Sequence, residues 1–138
     1  MVVLCCGTFD GLHPGHEDYF RQARSLGSRL VVVVARDETV KIIKGRSPFY
    51  DQDTRLQVIA AHPLVDEARL GLSGDKYRVI EAIRPDIVLL GYDQEAFTES
   101  LGEVLRARGL SCTVVRALPF KPDIFKSSKL YARSKDAS

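Results

Sequence analysis

Cysteine is scarce in this chain, and what there is does not pair. Of 138 residues three are cysteine, namely Cys5, Cys6 and Cys112, an odd count without a CxxC spacing. That argues against a disulfide scaffold and against a structural zinc site. Cys5 and Cys6 are adjacent and would face opposite sides of a strand, so at least one is expected to be inert core filling. Charge of one sign is lacking too. The formal net charge of +2 is too small to indicate a nucleic-acid or membrane surface by itself. No apolar run reaches bilayer length. The first residues carry no basic leader, and their apolar run is too short for a signal peptide, so the cytoplasm is the expected compartment. Internal repeats and low-complexity linkers are also missing.

What remains is an ordinary globular balance, with 45% apolar and 28% charged residues. The length fits one domain over residues 1–133, with a core able to stand alone, and a short polar tail over 134–138. Along the chain, strands and helices alternate. Residues 2–6, Val-Val-Leu-Cys-Cys, read as a buried strand, and Gly7 to Gly11 force a turn. A helix follows over about 15–26, with Tyr19, Phe20, Ala23 and Leu26 as its apolar stripe and Gly27 at its end. Residues 30–35 are a second strand, apolar throughout as a strand covered on both faces should be. Residues 36–49 suggest a short helical turn and a loop, and Asp51 caps the next helix, which ends before His62-Pro63.

Residues 65–70 are a weaker strand, 76–83 a helix stopped near Pro85, and 86–91 the clearest later strand. An amphipathic helix over 97–108 and a fifth strand over 110–115 complete the pattern. The spacing therefore predicts a single Rossmann-like α/β domain: a five-stranded open parallel sheet with helices on both faces. Ligands of such sheets sit outside the carboxyl ends of the strands, near a topological switch. The unusual polar residues fall after strand ends: Thr8 to His16, Asp37 to Arg46, Tyr92 to Asp93 and Lys121 to Lys129.

Within that set, His13 and His16 stand three apart at a helix start and share a face. Gly15 between them leaves room for a phosphate, and a helix start offers free N–H groups and a positive dipole end. Imidazoles there can donate to phosphate oxygens and stabilise charge that develops during phosphoryl or nucleotidyl transfer. A cap and an exposed ring are the bland alternative. Thr8 and Phe9 carry backbone N–H groups that could cradle a phosphate. Asp10 could face a substrate, help hold a hydrated Mg²⁺, or only cap the turn. Lys41, Lys44 and Arg46 form a basic patch suited to several phosphate charges. Arg55, by spacing alone, is a surface residue. Asp93, after Gly91 and Tyr92 at a strand end, could accept from a nucleobase amine or ribose hydroxyl, and Asp37 has the same logic. Ser127 and Ser128 can open a helix and bind phosphate.

The run Gly7-Thr8-Phe9-Asp10-Gly11-Leu12-His13-Pro14-Gly15-His16 resembles the signature of the HxGH cytidylyltransferase-like nucleotidyltransferases, and the resemblance extends over nearly the whole chain. It implies joining of a nucleoside triphosphate to a phosphate-bearing acceptor with release of pyrophosphate. It also implies triphosphate contacts for His13, His16, Lys44 and Arg55. Lys121 stands in the place of a usual arginine, keeping the charge but losing the bidentate fork. An Asp at the position of Asp93, and hydroxyls at Ser127 and Ser128, belong to the same pattern. The stretches 33–37, 44–46, 90–94 and 125–129 resemble the archaeal-type FAD synthase branch. That resemblance implies Mg²⁺, ATP and FMN, with AMP transferred to FMN. An isoalloxazine ring needs a wall, for which Tyr92, Phe97, Phe120 and Phe125 are candidates.

A cytidylyltransferase acting on glycerol 3-phosphate or another polyol phosphate is the alternative, followed by sugar-phosphate transfer. A catalytically silent nucleotide-binding scaffold is the reading from outside the enzyme class. Small-molecule substrates are expected, with no nucleic acid and no membrane. Homodimerisation through the apolar Leu64-Val65 region is a further expectation.

Overall fold

The computed structural model describes residues 1–73, 77–91 and 101–119. Five strands lie parallel in one sheet, in the order β3-β2-β1-β4-β5. They are β1 (Val2–Gly7), β2 (Arg29–Val34), β3 (Glu67–Leu70), β4 (Ile87–Leu90) and β5 (Thr113–Arg116). The helices are α1 (Pro14–Leu26), α2 (Asp37–Lys44), α3 (Gln52–Ala60), α4 (Arg78–Ile83) and α5 (Leu101–Ala107). Among the described residues no helix is long and apolar enough to cross a membrane.

Strand alternation sorts the core into two halves. Val3 and Cys5 of β1, Leu30, Val32 and Val34 of β2, and Ile87 and Leu89 of β4 join Tyr19, Phe20 and Ala23 of α1 and Ile59 of α3 in one buried cluster. Leu4, Val31, Val33, Val88 and Leu90 face the other way, onto Val79 and Ile80 of α4 and Leu101 and Leu105 of α5. The sheet is thus covered on both faces, which is why its central strands read as unbroken apolar runs. The open parallel sheet expected from the alternation is the one found.

The chain leaves β1 towards β2 and β3, then returns to place β4 on the other side of β1. β1 and β4 are neighbours whose onward connections run in opposite directions. Their carboxyl ends therefore flank the crevice where such sheets bind ligands. The turn after Gly7 and the residue Gly91 sit at that crevice.

Several boundaries differ from expectation for identifiable reasons. The segment read as a short helical turn is an eight-residue helix, α2, anchored by the buried Val40. The fifth strand starts at Thr113, whose N–H donates to Asp86 O at 2.9 Å, and not at residue 110. Leu110 is apolar because it is buried beneath the turn that ends α5. Leu64 and Val65, the apolar area expected to pair two copies, are half-buried and pack against the first core cluster. The start of the helix expected over 97–108, and Lys76 of that expected over 76–83, lie outside the described residues.

Candidate active site

The residues Gly7 to Gly11 leave β1 through a tight reversal. Phe9 has φ +54°, a left-handed conformation that non-glycine residues rarely adopt. This turns its ring back into the core, where it meets Phe20 at 5.5 Å and the edge of His16 at 5.2 Å between centroids. The ring lies so close to β1 that a Cβ on Gly7 would stand 2.8 Å from it. Any side chain there would force the Phe9 ring to shift. Strain of this kind costs about 1–3 kcal/mol and persists where surrounding structure enforces it. Here it fixes the entry of the chain into α1.

At the start of α1 the two histidines cap the helix reciprocally. His13 is the N-cap, and its Nδ1 accepts from Gly15 N–H at 3.0 Å. His16 reaches back, and its Nδ1 accepts from His13 N–H at 3.3 Å. This is a capping box built from imidazoles in place of the usual hydroxyl and carboxylate. The rings stack at 3.8 Å between centroids, with 23° between planes. Because both Nδ1 atoms accept, each neutral ring carries its proton on Nε2.

Burial lowers the pKa of His16 to about 4, helped by the positive fields of His13 and Lys44. His16 is therefore neutral at physiological pH, with one donor, Nε2–H. The expected free N–H groups at this helix start are not free. Gly15 N–H goes to the His13 ring, and His16 and Glu17 N–H go to His13 O. The positive end of the helix dipole lies at the same place and favours an anion there.

Three charged residues expected at the site also brace it. Arg55, expected at the surface from spacing, is 1% exposed. Its Nε donates to Tyr50 O at 2.9 Å, and its Nη1 donates to Thr8 O and Ala35 O, both at 2.8 Å. Its Nη2 pairs with Asp37 at 2.6 Å. One guanidinium thus ties the turn after β1 to the end of β2 and the start of α2. Asp37 opens α2, and its N–H donates to Gln52 Oε1 at 2.9 Å.

Asp10 accepts from the N–H groups of Phe49 and Tyr50 at 2.6 and 2.8 Å, joining the first turn to the loop before α3. Burial pushes its carboxyl up, but those N–H groups and the charges of Arg55 and Arg46 outweigh it and hold it below the ordinary value. Asp51, as expected, caps α3 by accepting from Thr54 N–H at 2.8 Å.

Lys41 and Lys44 are exposed on α2, and Arg46 is exposed just beyond it. Lys44 is near enough to His16 for its charge to act on that ring. Gly15 is buried in the first turn of α1, and Gly91 O at the end of β4 accepts from Arg116 Nη1 at 2.9 Å. Tyr92, Asp93, Lys121, Ser127 and Ser128 lie outside the described residues, as do Phe97, Phe120 and Phe125.

Sequence reading missed Tyr19, whose buried hydroxyl donates to Leu89 O and pins α1 to β4, and Gln52, which holds the start of α2. Tyr19 sits on the apolar stripe, where its hydroxyl left no periodic trace. Cys5 is core filling, while Cys6 and Cys112 are half-buried against the second cluster. Cys5 is fully buried, and burial pushes the Cys6 thiol up to about 12.

Among the described residues no cluster of three His, Cys, Asp or Glu side chains could hold a metal. Asp10 supplies one carboxylate, and each of its oxygens keeps a lone pair beyond the N–H it accepts. That donor set fits a Mg²⁺ that takes most of its ligands from phosphates and water.

Neutral imidazoles at the carboxyl edge of a parallel sheet, on the crevice between β1 and β4 and beside a lysine, make this an α/β nucleotidyltransferase. The chain belongs to the cytidylyltransferase-like family, whose model matches residues 4–134. It is 47% identical over 131 residues to the FAD synthase of Methanoculleus marisnigri, covering 95% of this chain and 87% of that one. The FAD synthase of Thermococcus onnurineus is 42% identical, with 95% and 89% covered. The crystal structure of a lipopolysaccharide core biosynthesis protein from Thermoplasma volcanium superposes with a TM-score of 0.83 at 37% identity, covering 88% of this chain and 98% of that one. A pantoate-beta-alanine ligase from Francisella tularensis, at 10% identity and a TM-score of 0.62, shares the fold.

Proposed function

We propose that this chain transfers AMP from ATP to FMN, forming FAD and releasing pyrophosphate. The observation that carries the chemistry is the reciprocal histidine cap, which fixes both imidazoles at the start of α1, on the rim where a triphosphate would lie. The choice of substrates is supported by relatives named FAD synthase at 42–47% identity over most of the chain.

In this reading a phosphate oxygen of FMN attacks the α-phosphorus of ATP in line, the bond to the bridging oxygen breaks, and pyrophosphate leaves. His13 and His16 donate from Nε2 to phosphate oxygens and stabilise charge that grows in the transition state. Their fixed tautomers mean that little reorganisation is needed at that moment. Lys44 steadies the phosphates, together with Lys121. Thr8, Phe9 and Gly15 line the approach, Asp93 with Tyr92 and Gly91 meets the nucleoside, and Ser127 and Ser128 hold phosphate. Asp37 and Arg55 act as positioning residues. Mg²⁺ would be held by Asp10 and the phosphates, and supplies neutralisation of triphosphate charge. No covalent enzyme intermediate enters this reading, in which the acceptor phosphate is itself the nucleophile.

The test is a matrix of ATP or CTP against FMN, glycerol 3-phosphate and sugar phosphates, read as pyrophosphate and as FAD. FAD from ATP and FMN alone is the expected result. Activity restricted to CTP overturns the reading. A sugar-phosphate acceptor is the second reading, favoured by the name of the Thermoplasma volcanium relative.

A further inference from the structure

Phe49 and Tyr50 are 83% and 45% exposed, with rings edge to face at 5.0 Å between centroids. Isolated exposed hydrophobics need no explanation. This pair differs, because its backbone is held firmly while its rings stay open. Both N–H groups donate to Asp10, and Tyr50 O accepts from the buried Arg55. A Cβ on Gly11 would stand 3.9 Å from the Tyr50 ring, in ordinary contact. Asp10 and Gly11 belong to the turn that leads directly into His13 and His16, and Arg55 reaches in from α3.

Exposed cations accompany the rings. Lys44 acts on His16, and Arg46 acts on Asp10, the residue that holds both aromatic N–H groups. The surface therefore joins positive charge beside the imidazoles to two mounted π-faces. That combination complements a phosphate monoester carrying a flat heterocycle. It gives little to a glycerol or sugar phosphate, which has no flat ring to stack.

We infer that Phe49 and Tyr50 form the stacking wall for the isoalloxazine ring of FMN and so set acceptor specificity. The inference rests on the FMN adenylyltransferase reading. The phosphate of the acceptor lies towards Lys44 and the histidines, and the ring lies against the aromatic pair. Asp10 and Arg55 then have a shared purpose: they hold the acceptor wall at a fixed place relative to the phosphate-binding rings. Ile42 and Ile43 on α2 are also exposed, at 82% and 52%. A surface for a second copy of the chain is thus the competing occupant.

The experiment uses the whole chain with Phe49→Ala, Tyr50→Ala and Phe49→Trp. Both aromatic anchors are backbone groups, so the alanine variants keep them, and the urea midpoint checks the fold. The wild type is first assayed for FAD formation, and FMN fluorescence quenching is titrated separately with each protein. Stacking predicts an FMN KM raised about tenfold in each alanine variant. The ATP KM should stay within about twofold. Quenching weakens in parallel, and Phe49→Trp restores it. An unchanged FMN KM, a rise in ATP KM instead, or a loss explained by altered sedimentation overturns the inference. If the wild type makes no FAD, the functional reading itself fails. If it makes FAD and the variants match it, the wall alone is wrong.

Discussion

Replacing His16 by glutamine separates what that ring does for the fold from what it does for the reaction. Glutamine is a customary partner at this position of a capping box, so its side-chain oxygen can accept from His13 N–H as Nδ1 does now. The cap survives while the titrating group disappears. The pKa of His16 lies at about 4 in the folded chain against an ordinary 6.5. The unfolded chain therefore binds the proton more readily, and protonation favours unfolding. The stabilising contribution is complete above pH 6.5 and is lost as pH falls towards 4. The gap corresponds to about 3 kcal/mol, and to about 2 kcal/mol once water reaching the partly exposed ring is allowed for.

Protonated Nδ1 would point a donor at the donor it now accepts from, which gives the loss its mechanism. Urea unfolding at intervals from pH 7.5 to 4.5 measures it. The wild type should lose stability over this window faster than His16→Gln by about 1–2 kcal/mol, with near-equal stability at pH 7.5. Carboxylates such as Asp10 and Glu67, which are held below their ordinary values, contribute equally to both proteins and cancel in the difference. Turnover of the variant at pH 7.5 should fall about 10²–10³-fold, the usual cost of one such donor. Parallel stability curves would refute the Nδ1 cap. Full turnover in a well-folded variant would refute the role of Nε2–H.

Arg55→Met leaves three carbonyls and Asp37 without their donor, and should lower the stability measured in urea by about 3–5 kcal/mol. A loss below about 1 kcal/mol would mean that the brace is dispensable. Gly27→Ala places a Cβ 2.6 Å from Met1 O and 2.8 Å from Val3 Cγ2, contacts that backbone cannot relieve cheaply. Its thermal midpoint should drop by an amount equivalent to about 1–3 kcal/mol, and an unchanged midpoint would show that β1 can shift. Burial raises the pKa of Cys5, Cys6 and Cys112 alike. A thiol reagent at pH 8 should therefore label native protein far more slowly than urea-unfolded protein, and rapid labelling of all three would contradict their packing.

The periodic parts of the chain were legible because burial writes itself into composition. Continuous apolar runs in β2 and β4 announced strands covered on both faces, and Asp51 announced a helix start. Edges were harder to read. β5 begins at Thr113 because its first ladder bond goes to Asp86 O, a partner distant in sequence. Leu110 looked like strand because a residue under a helix end is as apolar as one in a sheet. The histidine spacing was legible as a shared place at a helix start. The direction of its hydrogen bonds was not, because an imidazole can cap with either nitrogen and only packing against Phe9 and His13 selects one.

Arg55 shows most clearly why charge alone misleads. An arginine on a helix four residues after an N-cap aspartate looks solvated, and a family pattern would aim it at a phosphate. In the fold its nitrogens are already committed to carbonyls of three separate segments. Those carbonyls end β1, end β2 and precede α3, where strand termini leave acceptors that no ladder can satisfy. A buried cation is affordable there because it closes all of them at once and still meets Asp37. Lys41, Lys44 and Arg46, by contrast, are exposed, and in the proposed reading Lys44 carries charge to the nucleotide. Lys44→Ala should therefore weaken triphosphate binding in a salt-dependent way, measured as the ATP KM at two ionic strengths. Arg55→Lys should leave that salt dependence unchanged while lowering the unfolding midpoint. The opposite pairing of effects would move the phosphate contact from Lys44 to Arg55.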